Sequence, residues 1–172
     1  EILSLTRAVA ELKPGIILEI GTARGGTLLI WSQLASRQVI TCDLQDLNDK
    51  ADLLTAFPPK GSQCAVTLLR GNSHDAGFKQ QVAHHLDGKK ADFLFIDGDH
   101  TEAGVTSDYR DYREFVRPGG IIAFHDIVEA QPYPTNQVYA LWKKLRQELP
   151  SEEFIHDPSQ VGFGIGIIRV PG

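Results

Sequence analysis

The sequence predicts an α/β fold: a doubly wound, mostly parallel seven-stranded sheet with a C-terminal antiparallel hairpin. Three observations carry this. The runs Ile16–Ile20, Val39–Cys42, Ala65–Leu69, Phe93–Ile96 and Ile121–Phe124 are apolar without alternation, as in strands covered on both faces. Segments with apolar residues at three- and four-residue spacing separate them, and such crossovers between parallel strands are right-handed and wind helices onto both sides of the sheet. At the tail the rhythm breaks. Glu153–His156 and Phe163–Val170 are joined by a short Asp-Pro-Ser-Gln loop with no helix between them.

The elements follow in order. Ile2–Leu12 reads as a helix ahead of the first strand, and further helices are expected at Gly25–Ser36, Asp46–Phe57, Ala76–Leu86 and Glu102–Val116. Thr135–Leu149 places Val138, Leu141, Trp142, Leu145 and Leu149 on one helical face, so Trp142 is expected in the core. The chain divides into an N-terminal helix (1–12), a core (16–126) and a final region of loop, helix and hairpin (127–172), all within one domain. At 172 residues, one core is the expected size.

The composition is that of a globular protein, with 42% hydrophobic and 23% charged residues. A net charge of −5 argues against a nucleic-acid partner, which calls for Lys/Arg surfaces. No run reaches the roughly 18 apolar residues that span a bilayer. Cys42 and Cys64 lie in apolar runs and are expected as buried, reduced thiols, which fits a cytoplasmic setting.

Two stretches bear on chemistry. In "ILEIGTARGGTLL" a strand runs into Gly21, Gly25 and Gly26 and then a helix. Glycines there permit a sharp turn and close approach of a ligand, and the helix N-terminus offers free N–H groups. The spacing is not G-x-G-x-x-G, and Glu19 would repel a pyrophosphate but suit an ammonium group. Asp43 ends the second strand about 20 residues on, where a carboxylate accepts ribose hydroxyls. Together they describe a nucleoside with an amino-acid tail, S-adenosylmethionine.

The series "ILEIGTARGGTLL", "TCDL", "GNSHD", "FLFIDGDH" and "VRPGGIIAFHD" resembles the class I S-adenosylmethionine-dependent methyltransferases with their Rossmann-like fold. Its later motifs are similar to metal-dependent O-methyltransferases of the catechol, macrolide-sugar and cephalosporin-hydroxylase-like groups. The resemblance implies that Glu19, Gly21, Thr22, Gly25 and Gly26 hold the methionine part. Asp43 and Leu44 would meet the ribose, Asn72, Ser73 and His74 the adenine side, and Asp97 the reacting end. It also implies a small hydroxylated acceptor, of sugar or natural-product type, and a homodimer.

Asp97 and the pair His125-Asp126 end neighbouring strands, about 4.8 Å apart, so Asp97, His125 and Asp126 are candidate ligands of a divalent cation. Carboxylates suit Mg²⁺, while an imidazole shifts preference toward Mn²⁺, Fe²⁺ or Zn²⁺. The family usually carries Asp or Glu where this chain has His125, so a pair of acidic strand ends without an ion stays open. His100, three residues after Asp97, stands where the resemblance places a catalytic base. Asp99 reads as a turn residue, and Asp108, Asp111 and Glu114, interspersed with arginines, as a solvated helix face. The loop "IVEAQPYPTNQ" and the N-terminal helix are expected to line the acceptor site. The alternatives are a metal-free methyltransferase acting on nitrogen or on a protein, and a non-catalytic nucleoside-binding module.

Overall fold

A computed structural model describes residues 1–172. Helix α1 (Ile2–Glu11) precedes strand β1 (Ile16–Ile20), followed by α2 (Gly26–Leu34), β2 (Gln38–Asp43), α3 (Ala51–Thr55), β3 (Ala65–Arg70), α4 (Ala76–Leu86) and β4 (Ala91–Ile96). Then come α5 (Glu102–Tyr112), β5 (Val116–His125), α6 (Val138–Glu148), β6 (Ser151–Phe154) and β7 (Ile165–Arg169). The seven strands form one sheet in the order β3-β2-β1-β4-β5-β7-β6. Strands β1 to β5 are parallel, and β7 runs antiparallel between β5 and β6.

Alternate residues along each strand feed opposite faces. Leu18, Ile20, Phe124 and Trp142 belong to one buried cluster, with Phe78 and Val105 of α4 and α5. Ile17, Phe93 and Ala123 belong to the other, with Leu5, Leu28 and Trp31 of α1 and α2. Trp142 is fully buried, as its helical face implied, and its indole N–H donates to Glu153 Oε1 at 2.6 Å. Cys42 and Cys64 are buried free thiols.

Register makes the working rim. Ile20 pairs with Cys42 and with Ile96, and Ile96 pairs with Phe124. The next residues, Gly21, Asp43, Asp97 and His125, therefore stand at one level, at or just past the ends of their strands. That is the carboxyl edge, where ligands sit in open α/β folds.

Three sequence expectations are revised. The helix over Asp46–Phe57 shrinks to a turn at Asn48–Lys50 and α3, because Asp46 Oδ1 takes the Asn48 N–H and Pro58 and Pro59 end the segment. Of the hairpin strands, β6 lies two residues earlier than the expected run and β7 is shorter than its own, and residues 155–164 link them. Asp157 Oδ1 accepts from Ser159 N there, and Phe163 takes a left-handed φ of 61° between two left-handed glycines, ending the strand. Asp108 is not on a solvated face. It is completely buried on the inner side of α5, whereas Arg110 and Glu114 are exposed; the sheet claims one side of the helix whatever its charge.

Candidate active site

The glycine loop is built for close approach. Gly21 has φ 98°, and a Cβ there would run into the carbonyl oxygen of Asp97. The loop thus lies directly on the end of β4. Gly25 is also left-handed, while a Cβ on Gly26, the first residue of α2, would meet nothing within 4 Å. The first turn of α2 is open on that side.

Glu19 sits beneath the loop and is fully buried. Its Oε1 accepts from Trp31 Nε1 at 2.9 Å and its Oε2 from Thr41 Oγ1 at 2.6 Å. Thr41 in turn shares a 2.6 Å hydrogen bond with the buried Thr22. Burial pushes the Glu19 carboxyl up to about 7, against the pull of its hydroxyl and indole donors. Each oxygen thus accepts one hydrogen bond within the chain, and the carboxylate supports the loop from below.

Asp43 lines a cavity of about 560 Å³ together with Gly21, Leu44, Asn72, Ser73, His74 and Asp97. Its Oδ2 accepts from the Ala23 N–H at 2.7 Å and its Oδ1 from Gln45 N at 2.8 Å, which fixes the carboxylate in place. Asn72 Oδ1 accepts from the His74 backbone N–H, and the Ser73 carbonyl accepts from the Tyr112 hydroxyl. The cavity brings the Gly21, Asp43, Asn72–His74 and Asp97 positions together, as expected; Glu19, Thr22, Gly25 and Gly26 lie outside its lining.

Beyond Asp97 lies a knot of carboxylates and imidazoles. Ligand atoms of Asp97, His100 and Asp126 all fall within 4.8 Å of one another, a spacing that suits a metal ion. His100 Nε2 is 3.2 Å from Asp97 Oδ1, and its Nδ1 is 3.3 Å from Asp126 Oδ2. His125 enters from β5 with Nδ1 3.2 Å from Asp97 Oδ1 and 3.3 Å from Asp126 Oδ1. That nitrogen is buried and aligned with neither oxygen as a hydrogen bond. His100, singled out in the sequence as a base, therefore joins the two carboxylates at metal-like spacing, while His125 backs them from the strand side.

The charged groups of the knot shift one another. Burial works against ionisation of Asp97 and Asp126, but the neighbouring imidazoles hold both below the usual carboxylate range. Burial lowers His125, yet Asp126 and Asp97 outweigh it and push the ring up to about 10. His100 is raised, chiefly by its hydrogen bond to Asp97. Thr101 caps α5 by accepting from Gly104 N, which leaves His100 free of that duty. Asp99 Oδ1 accepts from Thr101 N, a turn role.

Two residues of this knot were not singled out in the sequence, although Asn136 lies in the loop expected to line the acceptor site. Asn136 Nδ2 donates to Asp126 Oδ2 at 2.6 Å and lies 3.4 Å from His100 Nδ1. Phe163 donates its N–H to Asp126 Oδ1, and its ring lies 6.2 Å from that of His125. Asp126, left-handed at φ 63°, is thus tied to the loop after β5 and to the hairpin loop. Helix α1 braces the latter through Glu1, whose carboxylate accepts from Gly164 N and Gln160 Nε2.

Residues 18–127 match the model of a family described as a methyltransferase domain. The chain belongs to that family. Solved structures agree on the fold. An O-methyltransferase from Bacillus cereus in complex with SAH superposes with a TM-score of 0.75 at 20% identity, over 97% of this chain and 79% of that one. The methyltransferase TomG from Streptomyces achromogenes, in complex with SAM, gives 0.68 at 15% identity over 98% and 78%. MycE of mycinamycin biosynthesis, in complex with Mg and SAH, gives 0.67 at 20% identity over 98% of this chain, which spans about half the length of MycE (48%). No curated protein matches the sequence. The sheet order and the terminal antiparallel strands of this methyltransferase are therefore those of the class I fold. No helix in it is long and apolar enough to cross a membrane.

Proposed function

We propose that this methyltransferase moves the methyl group of S-adenosylmethionine to a hydroxyl of a small acceptor, with a divalent cation at Asp97 and Asp126. The observation that carries the reading is the shared position of Asp97. It lines the nucleoside-sized cavity on one side and belongs to the Asp97–His100–Asp126 cluster on the other. Cofactor and acceptor would meet at that carboxylate.

The residues fit both groups. The open face of Gly26 and the fixed carboxylate of Asp43 suit an amino-acid tail and a ribose. The part-buried carboxylate of Asp97 and the buried one of Asp126 suit a divalent ion. Such an ion supplies acidity to a bound hydroxyl. His100 takes the hydroxyl proton at a ring nitrogen, and Asp97 holds that ring in place. Asn136 and the Phe163 N–H orient Asp126. The glycine loop and the end of β4 set the distance between donor and acceptor, and alignment matters most for a displacement of this kind. Mg in MycE and mycinamycin VI in a further MycE complex support a metal and a macrolide-type acceptor as the first to try.

A second reading has its own observation. His125 Nδ1 stands between Asp97 and Asp126, so a protonated ring would offset one of their two negative charges without an ion. The test is transfer of labelled methyl to a panel of hydroxylated sugars, macrolides and catechols, with Mg²⁺ and with EDTA. Loss of transfer in EDTA, restored by Mg²⁺, is the expected result. Equal transfer in both selects the metal-free reading, and tight NAD binding with no response to S-adenosylmethionine overturns the methyl-transfer assignment.

A further inference from the structure

The sheet has a second rim. Strands β2, β1 and β4 start side by side at the edge away from Asp43 and Asp97, roughly 16 Å off along the five residues of β1. There Lys13, Arg37, Lys89 and Lys90 line a cavity of about 300 Å³, with Ser36 and a single carboxylate, Asp92. The chain holds 17 Lys and Arg against 22 Asp and Glu, so four cations to one acid runs against its composition.

Asp92 serves the fold. Its Oδ2 accepts from the Gly15 and Ile16 N–H groups at 2.7 and 3.0 Å, and its Oδ1 accepts from Arg117 Nε at 2.6 Å. Arg117 thereby balances its charge. Lys13 and Arg37 form no ion pair, Lys89 meets only the exposed Asp87 at 3.2 Å, and Lys90 Nζ donates to the Glu114 carbonyl at 2.6 Å. An exposed pair such as Lys89 with Asp87 is weak. A Cβ on Gly15 would lie 3.7 Å from Arg37 Cδ, so the arginine stem lies along the entry to β1.

Helices α1, α2 and α4 end at Glu11, Leu34 and Leu86, close in sequence to these residues. A helix C-terminus carries about half a negative charge and favours a nearby cation. Three such ends leave most of the four positive charges unbalanced. Linked phosphates present several negative oxygens over a few ångströms, which suits a guanidinium fork flanked by ammonium groups.

We propose that this edge is a second ligand site, in which Lys13, Arg37, Lys89 and Lys90 take a small anion with two or more linked phosphate groups. It stands apart from the catalytic rim, so its ligand and S-adenosylmethionine do not exclude each other.

Calorimetry of the full chain with pyrophosphate and with uridine diphosphate tests it, in EDTA and about 0.15 M salt, where non-specific attraction is screened. Pyrophosphate is expected to bind saturably and about tenfold or more tighter than orthophosphate, the scale of one added charge-assisted hydrogen bond. Arg37→Ala and Lys90→Ala should each weaken it by about tenfold on the same scale, whereas Lys143→Ala, at an exposed lysine of α6, should not. Uridine diphosphate bound more tightly than pyrophosphate marks a nucleotide as the source, and equal or weaker binding marks a free diphosphate. Saturation with S-adenosylhomocysteine should leave the pyrophosphate affinity unchanged. No saturable binding of either diphosphate, an equal loss in Lys143→Ala, competition with S-adenosylhomocysteine, or preference for an oligoglutamate peptide over pyrophosphate overturns the proposal. Lower thermal melts in Arg37→Ala and Lys90→Ala with pyrophosphate affinity unchanged would reduce the cations to partners of the helix ends, and overturn it too.

Discussion

The imidazole of His100 reaches Asp97 with Nε2 3.2 Å from Oδ1, from a position three residues further along the chain. The turn between β4 and α5 makes this contact, because Thr101 takes the cap and leaves His100 pointing at the strand end. As a base, His100 must be neutral, and its bond to Asp97 raises the ring above its ordinary 6.5. Turnover should therefore climb with pH on the alkaline side of 6.5. His100→Ala should lose about 10²- to 10⁴-fold in kcat while calorimetry finds S-adenosylhomocysteine affinity little changed. Full activity in that variant would remove the base from the mechanism.

His125 carries a prediction about stability. Its folded ring is raised to about 10, so the folded chain keeps a proton that the unfolded chain releases near its ordinary 6.5. The stabilisation is complete below 6.5 and disappears as pH climbs toward 10. Thermal melts of wild type should fall across that window, and those of His125→Gln should be flatter. Melts with parallel pH slopes would contradict the ion-pair account.

Glu19 gives a second pH signature lower on the scale. Its carboxyl is raised from 4.5 to about 7 by burial, so folding favours the protonated form and stability declines as pH rises through about 7. Glu19→Gln removes the titration while its amide oxygen still accepts from Trp31 and its amide nitrogen donates to Thr41, the hydroxyl order reversing toward Thr22. Melts of this variant should match wild type in acid and exceed it above neutrality. A variant that is less stable than wild type at alkaline pH would show that the charged network is preferred.

Gly21 and Gly26 should part company. Gly21→Ala drives a Cβ into the Asp97 carbonyl at a left-handed φ and should cost roughly 2–4 kcal/mol by denaturant titration. Gly26→Ala meets nothing and should gain up to about 1 kcal/mol as a helix residue. Yet its methyl group enters the space given to the cofactor's amino-acid tail, so S-adenosylhomocysteine affinity should drop despite the better fold. Unchanged affinity in Gly26→Ala would move the cofactor away from α2.

Much of this was legible along the chain because the signals are local. Apolar runs and helical spacing marked strands β1 to β4 and helices α4 and α6 closely, whereas β5 begins at Val116, five residues before its apolar run. Side chains that leave strands at the same sheet edge, Asp43, Asp97 and Asp126, were visible as carboxylates following apolar runs. Residues whose roles depend on depth or on distant segments were not. Arg110 and Glu114 around Asp108 suggested a wet face, yet the sheet buries Asp108 against His74, 34 positions earlier in the chain. Glu19 kept its place in the motif, but Trp31 and Thr41 each donate to one of its oxygens.

By itself, the sequence determined the doubly wound sheet, its terminal antiparallel strands, and the rim on which the chemistry gathers, since periodicity and strand ends are written residue by residue. Only the tertiary structure decided which groups meet. It set His100 at metal-like spacing with the two carboxylates, brought Asn136 and Phe163 onto Asp126, and buried Asp108 against His74. The physical reason is that hydrogen bonds and ion pairs act over a few ångströms, whereas the partners lie tens of residues apart. The register of parallel strands and the packing of α5 on the sheet close that gap.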